Sequence, residues 1–123
     1  MDDRFTGYDA KACARMGLNG GKTLTRIALD DPGTLNTMTG TARAINELAE
    51  LKLMAMVEPF WSSRVDGKVR NDLTADAVIK SVGICAALGR TSAFTGLVVG
   101  RTLLYPADDD VAAAVDTAAA MVR

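Results

Sequence analysis

Residues 22–60 constrain the fold more than any other stretch, because a short apolar run, an amphipathic helix and a second short apolar run follow one another with only tight breaks between them. Residues 22–29, KTLTRIAL, alternate with period two. Lys22, Leu24, Arg26 and Ala28 therefore share one face of a strand, and Thr23, Thr25, Ile27 and Leu29 the other. Asp30-Asp31-Pro32-Gly33 breaks the strand. Leu35, Met38, Ala42, Ile45 and Ala49 then recur at helical spacing, which predicts a helix over 34–52 with those residues inward. Residues 53–58 are the next strand, stopped by Pro59. Strand, helix, strand is the βαβ unit, whose crossover is right-handed and whose strands are parallel. The expectation is an α/β fold with a parallel sheet covered on both faces, either doubly wound or part of a barrel.

The remaining segments fit that frame less regularly. Residues 9–16, closed by Gly17, read as the last turns of a helix. Residues 61–73 read as a long polar loop, and Thr74 and Asp76 open a helix to Leu88 that ends at Gly89. Residues 91–95 look like the entry to a third strand, yet Gly96 to Gly100 at once looks like another. Pro106-Ala107-Asp108 caps a final helix to about residue 122, with Asp108, Asp109 and Asp110 near its positive end. The whole is read as one domain, 1–123, with an internal junction near 95–96.

Composition removes several function classes. The longest apolar stretches, 79–88 and 111–122, fall well short of the ~20 residues a bilayer needs. The acidic start, Met1-Asp2-Asp3-Arg4, lacks the apolar core of a signal peptide, so a cytoplasmic protein without a membrane partner is expected. Fourteen basic against fifteen acidic side chains, unstriped, leave no footprint for nucleic acid. Cys13 and Cys85 lie in helices without a CxxC partner, which reads as two buried free thiols rather than a metal site or a disulfide. No histidine is present, and with it go the commonest general base and the commonest transition-metal ligand. Chemistry here falls to Lys, Glu, Asp, Arg or Tyr, and neither a cofactor nor a metal is expected.

Lys22 and Glu58 stand out on consecutive strands. A lysine on a parallel strand must be paired or lose its charge, unless it opens the strand at the wet end and snorkels. Glu58 stands at the carboxyl end of its strand, where α/β enzymes place catalytic side chains. The other reading of Glu58 is a structural carboxylate that caps the loop or pairs with Arg26. Gly100 and Arg101 close the run GLVVGR, where backbone N–H groups and a guanidinium suit a phosphate, although strands also end in glycine simply to turn. Met38, Met54 and Met56 read as core, and Phe60 and Trp61 either as the lining of a mouth or, the plainer reading, as packing under the loop.

The order KTLTRIAL (22–29), MVEPF (56–60), TSAFT (91–95) and LVVGRTLLYP (97–106) resembles the class I aldolase superfamily of (β/α)8 barrels, the deoxyribose-phosphate, tagatose-bisphosphate and sulfofructose-phosphate type. More narrowly it is similar to an actinobacterial aldolase-like barrel group associated with inositol catabolism. The resemblance implies a lyase of carbohydrate metabolism that cleaves or forms a C–C bond through a lysine Schiff base, in a phosphorylated sugar or inositol-derived substrate. By it, Lys22 matches the fourth-strand lysine, Glu58 the fifth-strand glutamate, and Arg101 the phosphate position on the last strand, with Arg26 and Gly100 grouped as further substrate-binding residues. The nucleophilic lysine has no match, since the chain jumps at Gly96 past the strand that bears it. A complete barrel takes about 250 residues. The implied fold is a partial (β/α)8 TIM barrel of about three parallel strands, shortened and without turnover, whose open edges invite association of copies. The alternative is a non-catalytic α/β module that binds a phosphate or sugar phosphate, or an oligomerising remnant.

Overall fold

The computed structural model describes residues 1–88 and 110–120. In chain order its elements are α1 (Ala10–Arg15), β1 (Gly20–Ile27), α2 (Thr34–Glu50), β2 (Met54–Val65), β3 (Lys68–Asp72), α3 (Ala75–Leu88) and α4 (Val111–Ala120). Asp9 opens α1 by accepting from the Ala12 N–H at 2.6 Å, and Gly17 closes it at φ +68°, a conformation that glycine adopts without strain. Asp110 opens α4 in the same way, accepting from the Ala113 N–H at 2.9 Å. No helix among the described residues is long and apolar enough to cross a membrane.

The βαβ unit forms as expected: β1 and β2 pair in parallel, with Lys22 opposite Met56, Leu24 opposite Glu58 and Arg26 opposite Phe60. The second strand does not stop at Pro59. The ladder begins with the Met54 N–H donating to the Asn19 carbonyl at 2.9 Å, so alternate residues from Met54 onward turn their N–H toward β1. Pro59 falls on the opposite parity. Its missing N–H faces away from β1, and β3 begins pairing only at Trp61, so the proline deletes no ladder bond.

The polar stretch 61–73 is not a loop but a β-hairpin. Asp66 at φ +51° and Gly67 at φ +73° make a two-residue turn, and β3 returns antiparallel along β2 from Trp61↔Asp72 to Val65↔Lys68. The sheet is therefore mixed, in the order β1-β2-β3. This corrects the expectation of a partial (β/α)8 barrel of about three parallel strands: the third described strand is antiparallel and hairpin-joined, on the side of β2 where a barrel requires another parallel strand. The expected strands at 91–100 and the junction at 95–96 lie outside the described residues.

Among the described residues, helices cover one face of the sheet only. Thr23, Thr25 and Ile27 are buried beneath α2, and α3 lies against β2 with the Lys80 ammonium 6.0 Å above the Trp61 ring. Leu24 and Met54, on the other face, remain 46% and 58% exposed, so Met54 is not a core residue. The phase of α2 also differs from the apolar count. Its buried residues are Thr34, Thr37, Thr41, Ile45 and Leu48, whereas Leu35 is 71% exposed.

Hydroxyl pairing explains that rotation. Thr41 Oγ1 donates to the Thr37 carbonyl at 3.0 Å, which uses its one hydrogen, so Thr25 Oγ1 is the donor in the 2.9 Å bond between Thr25 and Thr41. Thr34 Oγ1 donates to the Ala28 carbonyl at 2.7 Å and accepts from the Ala28 N–H at 3.1 Å, pinning the helix start to the strand end. Satisfied in this way, threonine presents its methyl to the core like any small apolar residue. The Met1 ammonium, the Gly33 N–H and Arg64 hold Asp31 in the intervening loop well below the usual carboxylate range, at about 2. Cys13 and Cys85 are both buried free thiols, and burial pushes Cys85 up to about 11.

Candidate functional site

The uncovered sheet face is where the sequence-predicted residues meet. Side chains alternate along β1 and β2, so Lys22, Leu24 and Arg26 share this face with Met56, Glu58 and Phe60. Lys22 Nζ lies 2.8 Å from Glu58 Oε2. The lysine reaches diagonally across the strand pair, because its register partner is Met56 and the carboxylate stands two residues further on. Neither group is buried: the side chains are 56% and 41% exposed. Glu58 sits within β2 rather than at its carboxyl end, since the strand continues to Val65.

Arg26 is engaged elsewhere. Its Nε donates to Asp3 Oδ2 at 2.9 Å and its Nη2 to Asp3 Oδ1, a two-point grip between partly buried groups that raises the guanidinium above its ordinary value. Glu58 thus pairs with Lys22 and not with Arg26. Gly100 and Arg101 lie outside the described residues. Among the described residues the face consequently offers one exposed ammonium–carboxylate pair, a guanidinium held by Asp3, and Phe60 as the register partner of Arg26.

Two partners escaped sequence reasoning. Asp3 is far from Arg26 in the chain, and no local pattern links them. Phe60 was legible in principle: extending the period-two alternation of β2 through Pro59 puts it on the face of Met56 and Glu58.

The sequence model of the Cgl0159-like family matches residues 1–97 and 94–119. Among solved structures, the chain is similar to the crystal structure of Cgl0159 from Corynebacterium glutamicum, at 39% identity and a TM-score of 0.69. That match covers 98% of this chain and 57% of that one, so the chain spans somewhat more than half the length of the protein it matches. No curated protein matches it. These findings overturn the resemblance to the class I aldolases. The matching family is a different one, the sheet of the described residues is a mixed three-stranded one rather than part of a TIM barrel, and the lyase, Schiff-base and inositol-catabolism expectations fall with the resemblance that carried them. With the family model spanning nearly the whole sequence, the chain belongs to the Cgl0159-like family.

Proposed function

We propose that this chain is a non-catalytic α/β module of the cytoplasm that binds a sugar phosphate on the uncovered face of its sheet. The observation that carries the reading is the exposed Lys22–Glu58 pair at 2.8 Å. An exposed ion pair is worth only about 0–1 kcal/mol, so an incoming phosphate exchanges with the carboxylate at Lys22 for little cost. The released carboxylate accepts hydrogen bonds from sugar hydroxyls, which a phosphate alone does not supply. Met56 and Phe60, on the same face, offer apolar surface to the C–H side of a sugar ring. Lys22 keeps its water shell, whereas a nucleophilic lysine is activated by desolvation or by a neighbouring cation.

The test is calorimetric titration with glucose 6-phosphate, inorganic phosphate and glucose. The reading requires glucose 6-phosphate to bind tightest and Lys22→Ala and Glu58→Gln each to weaken it at least tenfold. Equal affinity for the variants, or no binding by the native chain, refutes it. Exposed Leu24 and Met54 favour a second use of the same face, association of two copies. Sedimentation of the native chain beside Leu24→Glu separates the two, since only association is sensitive to that charge without added ligand.

A further inference from the structure

β3 is an edge strand of the sheet of the described residues, with β2 on one side of it. Alternate residues of β2 from Met54 onward turn their N–H toward β1, so Trp61, Ser63 and Val65 turn theirs toward β3, where they face Asp72, Arg70 and Lys68. The two-residue turn at Asp66-Gly67 closes on the same pair, Val65 and Lys68. Val69 and Asn71 therefore point their backbone N–H and C=O outward, away from β2. Lys68, Arg70, Asn71 and Asp72 are exposed, and Val69 is half-buried. Neither a proline nor a bulge interrupts the strand.

Charge commonly blunts such an edge, and it does so when arriving charges repel. Antiparallel pairing of two copies about a two-fold axis sets one residue opposite itself, and the choice of that residue fixes every other pair. Centred on Lys68, Arg70 or Asp72, like charges meet head on. Centred on Val69, Lys68 of each copy meets Arg70 of the other. Centred on Asn71, Arg70 of each copy falls opposite Asp72 of the other, in the non-hydrogen-bonded positions where side chains come closest. In that register Asn71 exchanges both backbone bonds with its counterpart, and Val69 falls opposite Leu73, just past the strand and 56% exposed. The Thr74 N–H, which donates to Asp72 Oδ1 at 2.9 Å, holds that carboxyl below the usual carboxylate range, so the arginine meets a full charge.

From the outward backbone groups of Val69 and Asn71 and the alternation of Arg70 with Asp72, we propose that β3 pairs antiparallel with β3 of a second copy of this chain, centred on Asn71, to join the two sheets. Two strands this short bury little area, which makes the association concentration-dependent rather than obligate. It uses neither Lys22 nor Glu58 and does not rest on sugar-phosphate binding.

The experiment is sedimentation velocity of the full chain over a concentration series at low ionic strength. The native chain is expected to shift from monomer to dimer as concentration rises. Arg70→Glu and Asp72→Lys are each expected to stay monomeric, since the first sets carboxylates opposite each other and the second sets cations. An equimolar mixture of the two is expected to dimerise, because both cross pairs are then opposite in sign. Lys68→Glu makes the same change of net charge as Arg70→Glu but falls opposite Thr74, so it is expected to dimerise like the native chain. A native chain that stays monomeric throughout, a mixture that stays monomeric, equal weakening by Arg70→Glu and Lys68→Glu, or a dimer abolished by Leu24→Glu would each overturn the inference. If Asp72→Lys unfolds for want of its Thr74 contact, the contrast between Arg70→Glu and Lys68→Glu decides alone.

Discussion

The Thr25–Thr41 contact between strand and helix predicts an asymmetric mutant cycle. Both residues are wholly buried, and the hydrogens are assigned: Thr41 donates to the Thr37 carbonyl and Thr25 donates to Thr41. Thr25→Val removes the donor and leaves Thr41 still donating, so the loss is that of one net hydrogen bond, about 1 kcal/mol. Thr41→Val removes the acceptor and orphans the fully buried Thr25 hydroxyl, which costs about 2 kcal/mol. Helix propensity does not confuse the comparison, since Thr and Val rank together. The double variant replaces both partners by groups of the same shape, a change that is nearly neutral in such pairs, so it costs less than the sum of the two by about 2–3 kcal/mol. Urea unfolding of the four proteins measures this. With an m-value of about 1–3 kcal/mol per molar urea, the Thr41→Val midpoint falls by roughly 1 M, about twice the Thr25→Val shift. An additive double variant, or a Thr25→Val midpoint lower than that of Thr41→Val, refutes the assignment of donors.

Further outcomes follow from single groups. Thr23→Val replaces an unsatisfied buried hydroxyl with a methyl and raises stability by about 1 kcal/mol, read as an upward shift in urea midpoint; a fall shows that the hydroxyl has a partner in solution. Gly67→Ala meets no atom with its new β-carbon, so only the backbone at φ +73° resists it, and a loss of about 1–2 kcal/mol in thermal unfolding is expected. Cys85, raised from 9.0 to about 11 by burial, reacts slowly with iodoacetamide until the chain unfolds, as mass spectrometry reads directly. Its folded value lies above its unfolded one. Its contribution to stability is therefore complete below pH 9 and is lost as pH rises through about 11, while Cys85→Ala removes that alkaline limb from the pH–stability curve.

Legibility differed by element, for physical reasons. The division of β1 into a Thr23, Thr25, Ile27 face and a Lys22, Leu24, Arg26 face follows from strand period alone and holds in the structure. The hairpin was also written locally, in Val65-Asp66-Gly67-Lys68, an Asp-Gly pair that charge had disguised as loop. The phase of α2 was not. An apolar count favours Leu35 and Ala49, and only the hydroxyls of Thr25 and the carbonyl of Ala28 across the interface make a threonine face cheaper to bury.

Local sequence thus determined that strand, helix and parallel strand follow one another, which of their residues share a face, and that Lys22 and Glu58 stand on neighbouring strands. Tertiary structure alone decided that their charges meet at 2.8 Å on a face that no described helix covers, and that Asp3 occupies Arg26. The reason is that backbone periodicity is set by each residue's nearest neighbours. Burial and pairing depend instead on which distant segments arrive alongside, and no short-range pattern encodes that.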